Sequence, residues 1–292
     1  IGMAMNCFTQ KGDKVMIQPP VYHPFAWVTT RNERTLVTNP LKWENGMYRM
    51  DLDAFRELIK GCKLFILCNP HNPGGVVWTE AELRAIADIC YDEKVLVFSD
   101  EIHADLTLPP HTHRPFATVS EKARMNSVTF MSPSKAFNMP GLSASHALIF
   151  NEDLRKRFRI YMDAGELDMG HVFAFLSVEA AYSHGTEWLD QCLAYIQGNI
   201  DFVDDFLKNH APKIKAIRPE ASYLVWLDCR ELKLSQKDLN EFFVDKAHLA
   251  LNDGEMFGKE GIGFMRLNVA SPRCIIEKAM KQLADAYQLY IK

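Results

Sequence analysis

The sequence lacks the features that mark membrane-spanning or nucleic-acid-binding chains. Its 292 residues carry 33 Lys and Arg against 37 Asp and Glu, and the net charge of −4 leaves no basic surplus for a phosphate backbone. No apolar run approaches the roughly 20 residues that a membrane-spanning helix needs. We therefore expect neither a nucleic-acid partner nor a membrane partner.

Paired or clustered metal-ligating residues are also lacking. The seven cysteines are odd in number, show no Cys-x-x-Cys spacing, and lie in part in apolar stretches, where a reduced thiol packs as a small hydrophobe. This pattern argues against a disulfide framework and a zinc site, and it favours a reducing, cytoplasmic location. His103, His111 and His113 do not predict a metal site either, because Pro109 and Pro110 interrupt their spacing.

What the sequence does contain is an ordinary globular composition, with 48% hydrophobic and 24% charged residues. At about 150 residues per domain, its length favours two domains. The first residues, from Ile1 to Phe8, are typical of a buried helix and not of a signal peptide. We therefore expect the chain to begin inside a domain whose N-terminal part is missing.

Short apolar runs alternate with amphipathic segments over the first two thirds of the sequence. The predicted strands are Lys14–Gln18, Thr35–Thr38, Leu64–Cys68, Val95–Ser99, Ser127–Met131 and Ala144–Phe150. Between the third and the fourth, the spacing predicts a helix over 79–93, and Thr79 with Glu82 predicts a capping box. Apolar strands joined by helices indicate a mostly parallel sheet covered on both faces. We therefore predict a large α/β domain over residues 1–187.

The pattern changes in the last third of the sequence. A long helix is predicted over 188–209, Ser235 is expected to cap a short helix, and a final helix begins at Pro272. The predicted strands of this part are Lys213–Ile217, Tyr223–Asp228, Leu249–Leu251 and Met265–Val269. We predict a smaller α/β domain over residues 188–292.

Polar side chains follow three of the strands predicted for the large domain. Asn72 lies in the loop after the third strand, and Asp100 follows the fourth. Ser132, Ser134 and Lys135 follow the fifth. Because ligands bind at the carboxyl ends of parallel strands, we expect an amide, a carboxylate, two hydroxyls and an amine to meet in one cleft.

That set of groups meets the needs of one cofactor. A lysine amine can form a Schiff base with an aldehyde, and a carboxylate can keep a pyridine nitrogen protonated. An amide can donate to a phenolic oxygen, and serine hydroxyls suit a phosphate. All four needs belong to pyridoxal 5′-phosphate (PLP).

The ordered set Asn72-Pro-Gly, Asp100 and Ser132-x-x-Lys135 resembles the fold-type I PLP enzymes of the class I/II aminotransferase superfamily. Four longer segments are similar to the MalY/PatB group, C–S β-lyases that include cystathionine β-lyases. They are Pro20-Val-Tyr-His-Pro-Phe25, Leu67-Cys-Asn-Pro-His-Asn-Pro73, Ser99-Asp-Glu-Ile-His-Ala-Asp105 and Pro133-Ser-Lys-Ala-Phe-Asn138. The resemblance extends to Arg266-Leu-Asn-Val-Ala-Ser-Pro272 and so covers nearly the whole chain.

The resemblance implies roles for five residues around the cofactor. Lys135 would form the Schiff base and move the Cα proton, and Tyr22, the second residue taken as catalytic, would stack on the ring. Asp100 would pair with the pyridine nitrogen, while Asn72 and His103 would contact the phenolic oxygen. Each residue also has a purely structural alternative: a surface lysine for Lys135 and a core aromatic for Tyr22. For Asp100, Asn72 and His103 the alternatives are a helix N-cap, a turn residue and a packing histidine.

Substrate and phosphate contacts are implied as well. Arg266 would grip the substrate α-carboxylate with a bidentate guanidinium, assisted by Asn72; the alternative for Arg266 is a surface salt bridge. Ser132 and Ser134 would bind the phosphate. The sequence departs from the family pattern here, because a serine stands at position 143 where an arginine is common and an alanine follows Lys135 where a threonine is expected.

The activity implied by the resemblance is β-elimination, which releases a thiol, pyruvate and ammonia from cystathionine or cysteine. An aminotransferase is the alternative, because it shares every step up to the Cα carbanion. A regulatory role ranks below both, since no helix-turn-helix or basic segment is visible. The resemblance also implies a homodimer with the active site at its interface, and about 100 family residues before the position of Ile1.

Overall fold

The computed structural model of the protein describes residues 1–167 and 169–290. Its α-helices are α1 (Gly2–Phe8), α2 (Pro24–Arg31), α3 (Leu52–Leu58), α4 (Glu80–Asp92), α5 (Glu121–Met125), α6 (Glu152–Ala164), α7 (Val172–His184), α8 (Thr186–His210), α9 (Gln236–Glu241) and α10 (Arg273–Tyr290). Its strands are β1 (Lys14–Ile17), β2 (Thr35–Thr38), β3 (Lys42–Glu44), β4 (Met47–Arg49), β5 (Cys62–Cys68), β6 (Leu96–Asp100), β7 (Ser127–Met131), β8 (His146–Leu148), β9 (Lys215–Ile217), β10 (Leu224–Asp228), β11 (Asn252–Asp253) and β12 (Phe264–Asn268). In this part of the chain, no helix has the length and apolar character needed to cross a bilayer.

Six strands form the larger sheet, in the order β2-β1-β5-β6-β7-β8. Neighbouring strands are parallel except β8, which runs antiparallel to β7. This confirms the predicted α/β fold with a mostly parallel sheet. The last predicted strand, 144–150, was too long, because only three of its residues pair with β7.

Helices cover both faces of this sheet because consecutive residues of the central strands are apolar. Phe65 on β5 faces a cluster that contains Phe55 of α3 and Ile86 of α4. The next residue, Ile66, faces the opposite cluster with Met5 of α1 and others from α2 and α6. Since side chains alternate across a strand, one continuous apolar run supplies both layers.

The smaller sheet has the order β11-β12-β10-β9, and its strands are antiparallel. Val225 and Met265 from the sheet pack with Ile200 of α8 and Met280 of α10. The strand predicted near 249–251 lies too early in the sequence, because pairing with β12 begins at Asn252. The division into two domains after residue 187 stays a prediction; that boundary falls in the first turn of α8.

A close backbone contact joins the two sheets beside the loop that follows β5. The carbonyl oxygen of Gly75 accepts hydrogen bonds from the backbone N–H groups of Glu220 and Ala221, at 2.8 and 3.1 Å. Gly75 has a φ of +68°, and a Cβ there would lie 2.5 Å from Pro219. Only glycine satisfies both conditions without strain, so this residue fixes the loop containing Asn72 against the smaller sheet.

Candidate active site

The carboxyl ends of β5, β6 and β7 meet at a cavity of about 190 Å³. Its walls are formed by Tyr22, Cys68, Asn72, Asp100, Ile102, His103, Lys135, Tyr223, Leu224, Arg266 and Asn268. Six of the eight residues that the sequence singled out therefore line one cavity. It lies between the two sheets, where the strand-end rule places ligands in parallel α/β proteins.

Asp100 is the last residue of β6, and its carboxyl group is partly buried at the floor of the cavity. Its Oδ1 accepts a hydrogen bond of 3.2 Å from the backbone N–H of Ile102. Burial raises the pKa of Asp100 to about 6, since the charged form loses contact with water. A cation placed in the cavity beside this carboxylate would offset that cost.

The raised pKa predicts how Asp100 affects stability in the ligand-free protein. The folded carboxyl keeps its proton up to about pH 6, whereas the unfolded one releases it near 3.8, so the free energy of unfolding falls between these values as pH rises. Asp100→Asn is therefore expected to stabilise the ligand-free protein by about 3 kcal/mol above pH 6 and to have no effect below pH 4. Urea unfolding of both proteins from pH 4 to 8 measures this difference. An Asp100→Asn variant that is equally stabilised at pH 4 would contradict the titration of Asp100 as its cause.

Arg266 on β12 reaches the loop after β5. Its Nη1 donates to Asn72 Oδ1 at 2.9 Å, and its Nη2 donates to Asn252 Oδ1 at 2.7 Å. The guanidinium also lies 4.7 Å from the ring centre of Phe257, while its Nε is buried with no hydrogen-bond partner among the described residues. Burial lowers the pKa of Arg266, so its charge is costly where it stands. A carboxylate ligand would reduce that cost with charge-assisted hydrogen bonds.

Tyr22 and His103 supply the ring side chains of the cavity. The backbone N–H of Tyr22 donates to the Asn72 carbonyl oxygen at 3.0 Å, which fixes its place beside the same loop. His103 is buried, and its Nδ1 has no hydrogen-bond partner among the described residues. Burial, helped by the charges of Lys135 and Arg266, lowers the pKa of His103 to about 3. The imidazole is therefore neutral at pH 7 and offers one donor and one acceptor.

Lys135 lies in the turn after β7, where the backbone N–H of Phe137 donates to the Pro133 carbonyl oxygen at 2.9 Å. Its side chain lines the 190 Å³ cavity and also a second, adjoining one. Within residues 1–167 and 169–290, Lys135 forms no salt bridge. Its amine can therefore react with a ligand without first breaking an ion pair.

The two serines before Lys135 occupy different surroundings. The hydroxyl of Ser132 lies 2.6 Å from that of Ser134 and donates to the Ala144 carbonyl oxygen at 2.5 Å. Ser134 lines the second cavity, and Ser132 lines neither. Their role at a phosphate stays a prediction.

Of the five other residues that line the cavity, three carry a thiol, hydroxyl or amide group that the sequence reasoning missed. Cys68 is the last residue of β5, so the strand-end rule could have found it; burial raises the pKa of its thiol, which therefore stays protonated. Tyr223 and Asn268 belong to the smaller sheet region, and no local signal connects them with Lys135. Only the packing of the two sheets brings them to the cavity.

Two of the three histidines set aside as metal ligands have carboxylate partners. His113 Nε2 lies 2.7 Å from Glu101 Oε2. The same carboxylate accepts hydrogen bonds from Ser99 Oγ and from the backbone N–H of Phe116. His111 lies 3.7 Å from Glu220. Within the described ranges, no group of three or more His, Cys, Asp or Glu residues could hold a metal ion.

Fold and cavity together define an α/β protein with a small-molecule site at the carboxyl ends of a mostly parallel sheet. Comparison with known proteins then gives its family: the profile of aminotransferase class I and II matches residues 1–283. The chain belongs to this family, which confirms the resemblance carried by the sequence motifs.

Individual relatives are more informative about the group within the family. The chain is 38% identical to cystathionine beta-lyase PatB of Bacillus subtilis over 98% of this chain and 74% of that protein. It is 32% identical to protein MalY of Escherichia coli over 96% and 72%, respectively. Cystalysin from Treponema denticola, whose crystal structure contains a pyridoxal 5′-phosphate cofactor, superposes with a TM-score of 0.96 at 36% identity over 100% of this chain and 74% of cystalysin.

Proposed function

We propose that this protein is a PLP-dependent carbon–sulfur β-lyase, which cleaves cystathionine- or cysteine-type amino acids to a thiol, pyruvate and ammonia. The observation that carries the proposal is the convergence of Lys135, Asp100 and the Arg266–Asn72 pair on one cavity. The chain around that cavity is 38% identical to a cystathionine beta-lyase.

The residues of the cavity fit the cofactor. Lys135 offers its aldehyde an amine that forms no salt bridge with the described residues, and Asp100 offers a carboxylate whose pKa is raised by burial, a cost that a cationic ring nitrogen would offset. His103 Nδ1 is a buried polar atom with no hydrogen-bond partner in the part of the chain that the structure describes, as expected of a group that binds a ligand. When bound, PLP accepts the electrons that are released when a substrate loses its Cα proton.

Each remaining task belongs to a side chain of the protein. Arg266 and Asn72 bind the substrate carboxylate and thereby set which Cα substituent faces Lys135. The Lys135 amine takes the Cα proton. Cleavage of the Cβ–S bond then releases sulfur with its electron pair, and the sulfur takes up a proton to leave as a thiol. Water completes the balance by converting the remaining fragment to pyruvate and ammonia.

An aminotransferase is the alternative, because the same residues serve every step up to removal of the Cα proton. The two activities differ in their products. We expect purified protein with PLP to release pyruvate from L-cystathionine without any keto acid. Formation of a new amino acid only when a keto acid is supplied, with no pyruvate released, would instead establish the aminotransferase.

We also propose that the protein works as a homodimer. Val172, Phe173, Phe175 and Leu176 on α7 each expose more than half of their surface, and such a patch marks an interface. His171, which caps α7, lies 3.1 Å from the Leu142 carbonyl oxygen in the segment after Lys135, so a second copy on α7 would adjoin the site.

Light scattering tests the dimer. Phe173→Asp combined with Phe175→Asp is expected to give a monomer, whereas Tyr91→Asp, at an exposed aromatic on α4, leaves the mass unchanged. A dimer that persists in the double variant, or a wild type that is already monomeric, would rule out α7 as the interface.

Two further proposals concern location and organisation. We infer a cytoplasmic location, which the scattered, mostly buried and unpaired cysteines support. We also propose that residues 1–187 and 188–292 act as two domains around the cavity, since each contains a sheet with its own apolar core.

A further inference from the structure

A second carboxylate is buried directly beside Asp100. Glu101 is the next residue in the chain, and its side chain is inaccessible to solvent. Because successive residues of an extended chain point to opposite sides, Glu101 lies on the same side as Ser99, whereas Asp100 faces the cavity. No step of the proposed reaction uses Glu101, although a carboxylate is costly to bury.

Three donors surround the Glu101 carboxylate. Oε1 accepts hydrogen bonds from Ser99 Oγ at 2.8 Å and from the backbone N–H of Phe116 at 2.9 Å, and Oε2 lies 2.7 Å from His113 Nε2. In residues 1–167 and 169–290, His113 is the one basic side chain within ion-pair distance of Glu101. The charge of His113 therefore decides whether the charge of Glu101 is compensated.

The surroundings of His113 favour its neutral form. Its Nδ1 is buried and has no hydrogen-bond partner among the described residues. A neutral imidazole with its proton on Nε2 donates to Glu101 and leaves Nδ1 as an acceptor. An imidazolium would instead bury a charged N–H donor without an acceptor, which costs more. Glu101 is thus a carboxylate held by N–H and O–H dipoles, with no full positive charge beside it.

This negative charge acts on Asp100. Burial is the main cause of the raised pKa of Asp100, and the charge of Glu101 raises it further. Water screens the interaction weakly, because Glu101 is buried and Asp100 is partly buried. A positive charge that binds to Asp100 is therefore favoured by both carboxylates, whereas an uncharged group at the same place gains nothing from Glu101.

We propose that Glu101 is a positioning residue of the cofactor site, which acts through Asp100 and strengthens the binding of a positively charged ring nitrogen there. Neutral His113 holds the Glu101 carboxylate in place. The inference rests on the role proposed for Asp100 in the PLP-binding cavity. If Glu101 served only to fasten the segment from His113 to Phe116 to the end of β6, its charge would not matter, and an uncharged side chain of the same shape would serve equally well.

Two cofactors that differ at one ring position test the role of the charge. PLP has a ring nitrogen that can carry a proton, whereas 1-deaza-pyridoxal 5′-phosphate has a C–H group in its place. Glu101→Gln removes the charge but keeps an oxygen for Ser99 and Phe116 and an amide that can face His113. We expect this variant to bind PLP about tenfold more weakly and the deaza compound equally well, because a weakly screened charge is worth about that factor. Fluorescence titration of cofactor-free protein measures both dissociation constants.

Glu220→Gln is the matched control for Glu101→Gln. Glu220 also lies near a histidine, His111 at 3.7 Å, and its Oε2 accepts a hydrogen bond of 2.8 Å from the backbone N–H of Val77. It lines neither cavity. Its replacement should leave both dissociation constants unchanged, and an equal loss of PLP affinity in the two variants would overturn the proposal.

Variants of His113 test the charge while Glu101 is kept. His113→Lys places a cation beside the carboxylate and should lower the preference for PLP over the deaza compound about tenfold, as Glu101→Gln does. His113→Gln replaces the imidazole with a neutral donor and should leave the preference unchanged. A preference that rises in His113→Gln would show that His113 is charged and would overturn the proposal. This pair also keeps the test open if Glu101→Gln does not fold.

Asp100→Asn separates failure of this inference from failure of the role on which it rests. If Asp100→Asn loses the preference for PLP while Glu101→Gln and His113→Lys keep it, the role of Glu101 is overturned and that of Asp100 stands. If Asp100→Asn keeps the preference, the role proposed for Asp100 at the ring nitrogen fails first.

Unfolding of the ligand-free protein gives a second test that needs no cofactor. The pH at which the stabilising effect of Asp100→Asn levels off should fall by about one unit when Glu101→Gln is also present, because the same interaction is removed. An unchanged pH dependence would overturn the proposal. The other titratable groups that act on Asp100 or are acted on by it are the same in both backgrounds, namely the amino group of Ile1, Tyr22, Cys68 and Lys135.

Discussion

Lys135→Ala is expected to abolish pyruvate release, with a fall in kcat of at least about 1,000-fold, because the variant loses the amine that takes the Cα proton. The visible absorbance of bound cofactor should change at the same time, since Lys135 is the amine that lines both cavities. Absorbance spectra and a coupled pyruvate assay measure the two effects on one preparation.

Lys122→Ala provides the matched control for this result. Lys122 forms surface ion pairs with Asp88 and Asp92 and lines neither cavity, so its loss should leave both readouts unchanged. Thermal unfolding of each variant checks that the fold is intact. Turnover by folded Lys135→Ala at more than a few per cent of the wild-type rate would remove Lys135 from the mechanism.

Arg266→Lys is expected to lower kcat/KM by about 100-fold, chiefly through a higher KM. The guanidinium holds two amide oxygens through separate nitrogens, and the same planar fork can bind both oxygens of a carboxylate. The lysine ammonium group keeps the charge, but its donors all lie on one nitrogen and cannot match both oxygens of a carboxylate. Two charge-assisted hydrogen bonds account for about 3 kcal/mol or more. Steady-state kinetics with L-cystathionine measure the change.

Arg230→Lys is the matched control for Arg266→Lys. Arg230 also lies 4.7 Å from an aromatic ring centre, that of Phe264, and binds the carboxylate of Asp228 through two nitrogens, but it does not line the cavity. We expect its replacement to leave KM unchanged. If KM for both variants rose equally, the effect would come from the smaller sheet as a whole and not from the carboxylate contact.

Elements with strong local patterns were predicted well. The strands Thr35–Thr38 and Ser127–Met131 were predicted to the residue, because both are short apolar runs bounded by polar residues. The capping box of Thr79 and Glu82 is present, and Ser235 caps its helix through the N–H of Asp238. In both caps the decisive interaction joins residues three positions apart, so the sequence contains all of it.

Two errors concern strands of only two or three residues, whose apolar pattern is too short to predict them. The hairpin of β3 and β4 was missed although Asn45-Gly46, both with positive φ, forms the turn that such hairpins prefer. Strand β11 was expected three residues earlier, at 249–251, because its position is set by pairing with β12 and not by its own apolar residues.

The sequence by itself determined the mostly parallel sheet and the placing of Asn72, Asp100 and Lys135 at its carboxyl ends, since burial on both faces requires continuous apolar strands. Only the tertiary structure decided that Arg266 meets Asn72 across 194 residues of chain, and that Tyr223 closes the cavity from the smaller sheet. The physical reason is that these contacts depend on how the two sheets pack, with Gly75 fixed against Pro219, and no local periodicity encodes that packing.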